Sequence, residues 1–394
     1  MTKINWEYWQ NLALVMAVIT LPMPKYNLNT QAIILMIMVW LFSGDLFNKL
    51  KRIKIKKYQF LSISIWLFMF VIGLLYSDNL EIGFKNIIKA MPLLVIPLVC
   101  FSEDMSVKKV EYLLKWFCTS VICCALFSLT KATYFTYMNF GNYFYNYNLA
   151  TLLNAHTTYY SLFCVGAILF FLYQILFNKN KIIYWLWMFF LLAFLYLLSS
   201  RMSVFSLGAG TFTLLYIKFG VRSLFSVLPI SLVIVGALFS PNFQKREIGN
   251  SQFGTTTPTI SSRILHWKAV VNAVKSDNVI IGGGSGTNKT HVYKSYEEYG
   301  FRKGAFHKYN AHNQFLEHFI YFGLMAFLVW SFCFWIWSKS LFKNQHPMLF
   351  SLMVVTICSM LTESILERQR GIVFFALFIS LALSMKTKEN EVYD

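Results

Sequence analysis

The side chains able to do chemistry in this chain stand at the breaks between long apolar runs. Arg201 follows Ser199-Ser200 and is followed at once by another apolar run. A guanidinium in such a place is expensive unless a carboxylate or a ligand anion pairs with it, although an arginine that only sets topology is the plainer reading. Arg263 follows a second Ser-Ser step, Ser261-Ser262. Two arginines at one membrane interface can form a fork for a diphosphate, because the planar guanidinium matches phosphate oxygens in pairs. His312, in Tyr309-Asn310-Ala311-His312-Asn313-Gln314, can take a proton from a hydroxyl near neutral pH. A lone histidine at a helix start is also a common structural residue, and His156, His307 and His318 are alternatives.

Two further groups of charge can support this trio. Lys85 and Lys89 are spaced i and i+4, and can add positive charge or simply snorkel to the interface. Glu363, Glu367, Arg368 and Arg370 cluster beyond a later apolar run. Glu363 and Glu367 are expected on one helical face at i, i+4, placed to orient the histidine, to pair with the arginines, or to form an outer salt-bridge network. The run Gly282-Gly283-Gly284-Ser285-Gly286 departs from the phosphate-loop pattern GxxxxGK[ST] and reads as a tight turn where backbone approaches something closely. No HExxH, CxxC or paired-Asp pattern is present and the seven cysteines lie in apolar runs without ligand spacing, so no metal and no cofactor is expected.

Composition says what must position these residues. The chain is 57% hydrophobic and 18% aromatic with 13% charged residues, where a soluble domain carries about 25%. Its many near-spanning apolar runs predict an all-α polytopic membrane protein; a transmembrane barrel would alternate instead. The net charge of +18 does not point to nucleic acid, because the lysines fall in short loops between apolar runs, as positive-inside topology requires.

The densest basic run, Lys49 to Lys57, is therefore expected in the cytoplasm. Counting from it gives about twelve transmembrane helices with both termini cytoplasmic. Residues 1–240 form an N-terminal bundle of about nine spans, 241–310 a large external loop with short helices, and 311–394 about three C-terminal spans and a cytoplasmic tail. Within the loop, Ile264, Trp267, Val270, Val271 and Val274 fall on one helical face. That pattern predicts either a helix lying at the membrane surface or a helix of a soluble loop.

The order of these features resembles a known family. Ser-Ser-Arg201, Ser262-Arg263 with Trp267, the glycine run, and Ala311-His312-Asn313-Gln314-Phe315-Leu316 followed by Gly323 look like the O-antigen ligase and O-antigen polymerase superfamily. The resemblance is specific from about Ser199 to Gly323 and reaches the rest of the chain only as topology. It implies a C-type glycosyltransferase-like fold with a large periplasmic loop, in a bacterial inner membrane, with the active site facing the periplasm. It implies a glycan donor on undecaprenyl diphosphate, an acceptor hydroxyl on the lipid A core or another glycan, and inversion at the anomeric centre without metal or nucleotide. Carried over by motif, His312 is the catalytic base and Arg201 and Arg263 hold the diphosphate. Lys85, Lys89, Glu363 and Arg370 are supporting residues outside the motifs. The ligase is the first expectation and the polymerase the runner-up, with transfer of glycan to protein a further variant. A transporter of lipid-linked glycan would instead place ionisable residues at mid-membrane depth.

Overall fold

A computed structural model describes residues 5–178, 181–240, 259–276, 278–343 and 346–385. The expected start of the long loop (241–258) and the C-terminal tail (386–394) lie outside the described residues. Every regular element among the described residues is helical: α1 Trp6–Thr20, α2 Tyr26–Phe42, α3 Leu46–Ile55, α4 Lys57–Leu74, α5 Leu80–Ala90, α6 Pro92–Ser102, α7 Val107–Tyr137, α8 Asn146–Thr151, α9 Thr157–Phe177, α10 Ile182–Leu198, α11 Arg201–Phe219, a 3₁₀ turn Gly220–Ser226, α12 Val227–Phe239, α13 Thr259–Ser276, α14 Thr290–Glu298, α15 Arg302–Phe306, α16 Gln314–Phe322, α17 Leu324–Lys343, α18 Pro347–Met360, a 3₁₀ turn Ile365–Glu367, and α19 Gln369–Ser384.

The apolar runs become helices because lipid leaves no water to satisfy a bare backbone. Among the described residues, five helical stretches are long and apolar enough to cross a membrane, or six if the bent pair α2 and α3 is one of them. Four more apolar helices (α10, α17, α18 and α19) carry apolar stretches of 10–17 residues. Length and composition thus support a multi-pass membrane protein and stop short of the expected twelve crossings. Exposed apolar faces agree: α12 turns Leu228, Leu232, Val233 and Val235 outward, a display that water would not tolerate and lipid does.

Three apolar runs differ in shape from their expectation. The run from Ala32 to Phe47 ends early, at Gly44 and Asp45, both with positive φ, and the chain turns by 111° into the basic helix α3. The run from Ile82 to Phe101 is divided between α5 and α6, where Pro92 cannot donate to the preceding turn. The run beginning at Ala311 breaks at Gly323, whose φ is +56°. The sequence between Arg201 and Phe239 folds back on itself: a Cβ on Gly208 of α11 would meet Ile230 and Ile234 of α12.

The core lies along α9 and α19. Every residue of α19 from Arg370 to Ser384 is buried, and α9 is buried over most of its length. α11 crosses α9 and α18 at Gly210, where a Cβ would lie 2.6 Å from Leu169 and 2.7 Å from Val355. Ser206 meets Ser359 at 3.2 Å and Ser351 donates to the Gly210 carbonyl at 2.9 Å, so α11 and α18 run antiparallel. The head of α11 therefore lies at the same end of the bundle as the segment that follows α18.

At that end sits a second, smaller core. Ala269, Val270, Ala273 and Val274 of α13 pack with Val292 and Tyr296 of α14 and with Phe319 and Ile320 of α16. The expected apolar face of α13 is thus divided: Val270 and Val274 face inward, while Ile264 and Val271 stay exposed. The exposed half, with Trp267, lines an apolar trough of about 660 Å³ with Phe315, Leu316 and Phe327. The glycine run docks against the break in the tenth apolar run: Gly283 and Gly284 donate to the Ile320 and Tyr321 carbonyls at 3.1 and 2.9 Å. A Cβ on Gly282 would stand 2.7 Å from the Phe322 and Gly323 nitrogens, so only glycine lets the two backbones meet.

Candidate functional site

His312 occupies a tight turn, with φ at +45°, immediately before α16. The turn is held on both sides. Asn310 Oδ1 accepts from the His312 amide at 3.2 Å, and Asn313 caps α16 by accepting from the Phe315 and Leu316 amides at 2.9 and 3.1 Å. The Asn313 amide group also donates to the Leu361 carbonyl at 3.0 Å, which fastens the turn to the segment after α18.

That segment carries Glu363 into the site. Its Oε2 lies 3.0 Å from His312 Nδ1 and its Oε1 accepts from Arg263 Nη2 at 3.0 Å. Burial pushes the Glu363 carboxyl upward, but the hydrogen bond and charge of His312, with the charges of Arg263 and His156, overcome this and hold it at about 2. An ionised carboxylate can only accept. In the neutral form of the ring the proton then sits on Nδ1 and the lone pair on Nε2, the arrangement of a base oriented by an acid.

Arg263 and His266 reach this point from one face of α13, at i and i+3. The His266 ring is buried and stacks on His312 with centroids 5.7 Å apart and 17° between planes, while Phe301 meets it edge-on at 3.8 Å. Burial, and after it the charges of His312 and Arg263, push His266 down to about 3, so it is a neutral plate behind the His312 ring. Arg201 is the first residue of α11, after Ser199 in a left-handed turn with φ at +52°. The antiparallel packing of α11 on α18 places Arg201 at the Glu363 end of the bundle, half-buried.

A second charged cluster lies beneath the first. The Glu317 carboxylate is wholly buried, with Oε2 accepting from the Ala311 amide at 2.7 Å and from Ser364 Oγ at 3.4 Å. Its other oxygen pairs with Lys289. Glu317 thereby holds the neighbours of both His312 and Glu363. Burial acts to lower Lys289, but Glu317, Tyr321 and Glu367 raise it well above its ordinary range, so the ammonium stays charged. Glu367 accepts from Tyr321 Oη at 3.2 Å and lies 3.6 Å from Lys89 Nζ and 3.8 Å from Lys289 Nζ.

The site residues read from the sequence thus separate. His312, Arg263 and Glu363 come together, and Lys89 joins the cluster beneath them. Lys85 instead pairs with Glu81 at 2.5 Å on an exposed helix face. Arg370 is buried and donates to the Met23, Pro24 and Leu153 carbonyls at 2.7, 3.3 and 3.4 Å. Glu363 and Glu367 do not share a helical face as expected. Thr362 bonds back to Ser359 and residues 365–367 form a 3₁₀ turn, which sends the two carboxylates to different clusters. His318 is packed between Trp66 and Trp330 and is a core residue. Among the described residues, no group of three or more His, Cys, Asp or Glu side chains is placed to hold a metal ion.

Sequence reading missed Glu317, Lys289 and His266. Lys289 closes the glycine segment and Glu317 interrupts an apolar run, and an acid inside such a run signals a buried partner. Nothing in the spacing of residues 289 and 317 names that partner.

The described residues thus form a multi-pass helical protein with a histidine, a carboxylate and an arginine gathered at one end of its bundle. Residues 186–331 match the family model described as O-antigen ligase. Over that stretch, rather more than a third of its length, the chain is similar to the O-antigen ligase family. The matched segment runs from within α10 to within α17, and so holds Arg201, Arg263 and His312 but not Glu363. No curated protein matches the chain.

Proposed function

We propose that the protein is an O-antigen ligase, moving a glycan from undecaprenyl diphosphate onto a hydroxyl of the lipid A core at the periplasmic face of the inner membrane. The observation that carries the reading is Glu363, which touches His312 with one oxygen and Arg263 with the other. In this reading His312 Nε2 takes the proton of the acceptor hydroxyl. The freed oxygen attacks the anomeric carbon, the bond from that carbon to the diphosphate oxygen breaks, and its electrons leave with the diphosphate. The anomeric centre inverts. Arg263 and Arg201 receive the growing negative charge, and fixed cations at that point lower the barrier. Glu363 stabilises the imidazolium and holds Arg263 ready until the diphosphate competes for it.

The topology belongs to the same proposal: about twelve crossings, both termini cytoplasmic, and residues 241–310 in the periplasm. The test is the glycan pattern of a deletion strain, with carrier-linked and core-linked pools separated. Loss of all glycan from the core, with long polymer accumulating on the carrier, supports the ligase. A core still capped by a single repeat unit, without long chains, replaces it with the polymerase.

A further inference from the structure

A cleft of about 760 Å³, lined in part by charged and amide side chains, takes no part in the chemistry above. Its walls come from separate parts of the chain. Lys25, Asn27 and Gln31 enter from the loop after α1 and the start of α2, Asn154 and His156 from the start of α9, and Arg368 from the segment before α19. Three of these side chains are cations or become one on protonation, three are neutral hydrogen-bonding amides, and among the described residues no carboxylate lines the cleft. His156 also caps α9, accepting from the Thr158 amide at 3.4 Å. The positive pole of a 21-residue helix therefore ends in the cleft.

Two observations tie this cleft to the reaction. Tyr159, one turn along α9 from His156, donates to the carbonyl of Ser364, the residue after Glu363, at 3.5 Å, so the cleft lies close to the carboxylate that contacts His312. Two of its walls are also tied together from behind: the buried Arg370 donates to the carbonyls of Met23 and Pro24, which precede Lys25, and to that of Leu153, which precedes Asn154. A guanidinium holding backbone carbonyls of both walls keeps the opening at one width.

On the glycan-transfer reading above, we propose that this cleft binds a negatively charged sugar, phosphorylated or carboxylated, of the acceptor glycan. Arg368 and Lys25 pair with the anion, Asn27, Gln31 and Asn154 bond the sugar hydroxyls, and a neighbouring hydroxyl is presented to His312. Charge-assisted bonds of this kind are the stronger ones in a polar, half-open site.

The test is direct binding to the full chain in nanodiscs, with a phosphate-bearing core oligosaccharide as probe and the same oligosaccharide after phosphatase treatment. The expected result is about tenfold or greater weakening on dephosphorylation and a similar loss in Arg368→Gln and in Lys25→Gln. Equal binding of the two probes, or wild-type binding by both variants, overturns the proposal. Inorganic pyrophosphate separates the two sources of phosphate. If it displaces the probe, and Arg201→Gln loses as much binding as Arg368→Gln, the cleft belongs to the leaving group and the acceptor assignment falls. His312→Ala is expected to bind the probe like the wild type. Transfer that survives in that variant would remove the catalytic reading while leaving the binding result standing.

Discussion

Two clusters of charge lie side by side at one end of this bundle, built from the same kinds of residue and closed to different degrees. In the lower cluster Glu317 and Lys289 have side-chain exposures of 0% and 12%, and Glu317 is occupied on both oxygens. In the upper cluster His312, Arg263 and Glu363 keep 29%, 28% and 16%. Among the described residues, partners enclose the first, whereas the second keeps part of its imidazole and guanidinium surface exposed. A charged group closed by partners stabilises a shape, whereas one left half-open can exchange a partner for a substrate. The lower cluster grips Ala311 and Ser364, the chain neighbours of His312 and Glu363. Its work is to hold the upper one still.

This contrast can be broken by substitution. His312→Ala is expected to lower the turnover number by about 10³-fold, within the range of general-base removal, with donor KM little changed; steady-state transfer assays would show it. Near-normal turnover would make the upper cluster structural too. Arg263→Ala is expected to cost about 10²-fold in kcat/KM, with Arg263→Lys recovering only part, because a lysine cannot present two donors in a plane. Full rescue by lysine would reduce the fork to a point charge.

The lower cluster should fail differently. Glu317→Gln removes the closest partner of the buried Lys289 and leaves it only the more distant Glu367, a loss approaching the roughly 3–5 kcal/mol of a broken buried pair. A large fall in melting temperature is therefore expected, and the double change Lys289→Met with Glu317→Leu should restore much of it. A single variant that melts normally but transfers slowly would show that the two clusters divide their work less cleanly.

His266 sharpens the comparison through pH. Its folded-state value, near 3, lies below the ordinary histidine range. The neutral form is therefore the one the fold favours. Its contribution to stability is complete above about 6.5, the unfolded value, and is lost as pH falls from there towards 3. His266→Phe is expected to flatten the stability profile across that interval, measured by thermal melts at successive pH. An unchanged profile would show that the stacked ring bears no titration load. The smallest effect is expected from Lys85→Gln, with no measurable change in melting or in transfer, since that lysine pairs with an exposed neighbour one turn away.

Much of the architecture was legible because lipid solvation writes itself into sequence. The sixth apolar run, Thr157 to Phe177, coincides with α9 end to end. The arginines and the histidine were legible because polar residues at the ends of such runs are conspicuous. What escaped was partnership. Glu363 stands 51 residues from His312 and 100 from Arg263, and nothing local in an apolar run fixes the register in which two helices pack. The 111° turn after α2 escaped for a related reason. Hydropathy averages over a window and does not see a Gly44-Asp45 corner, where φ is positive at both residues. The early end of a helix before a basic segment is written in dihedral preferences, not in polarity.

The depth at which α19 lies has a genetic reading. Fifteen consecutive residues, Arg370 to Ser384, are enclosed on every side, while α12 presents most of its surface outward. In a library of random substitutions, silent alleles would be scarce in the last helix and plentiful in α12. A natural lineage would drift fastest where the chain meets only lipid. The C-terminal segment would be its slowest-changing signature, although it lies beyond the stretch that matches the family.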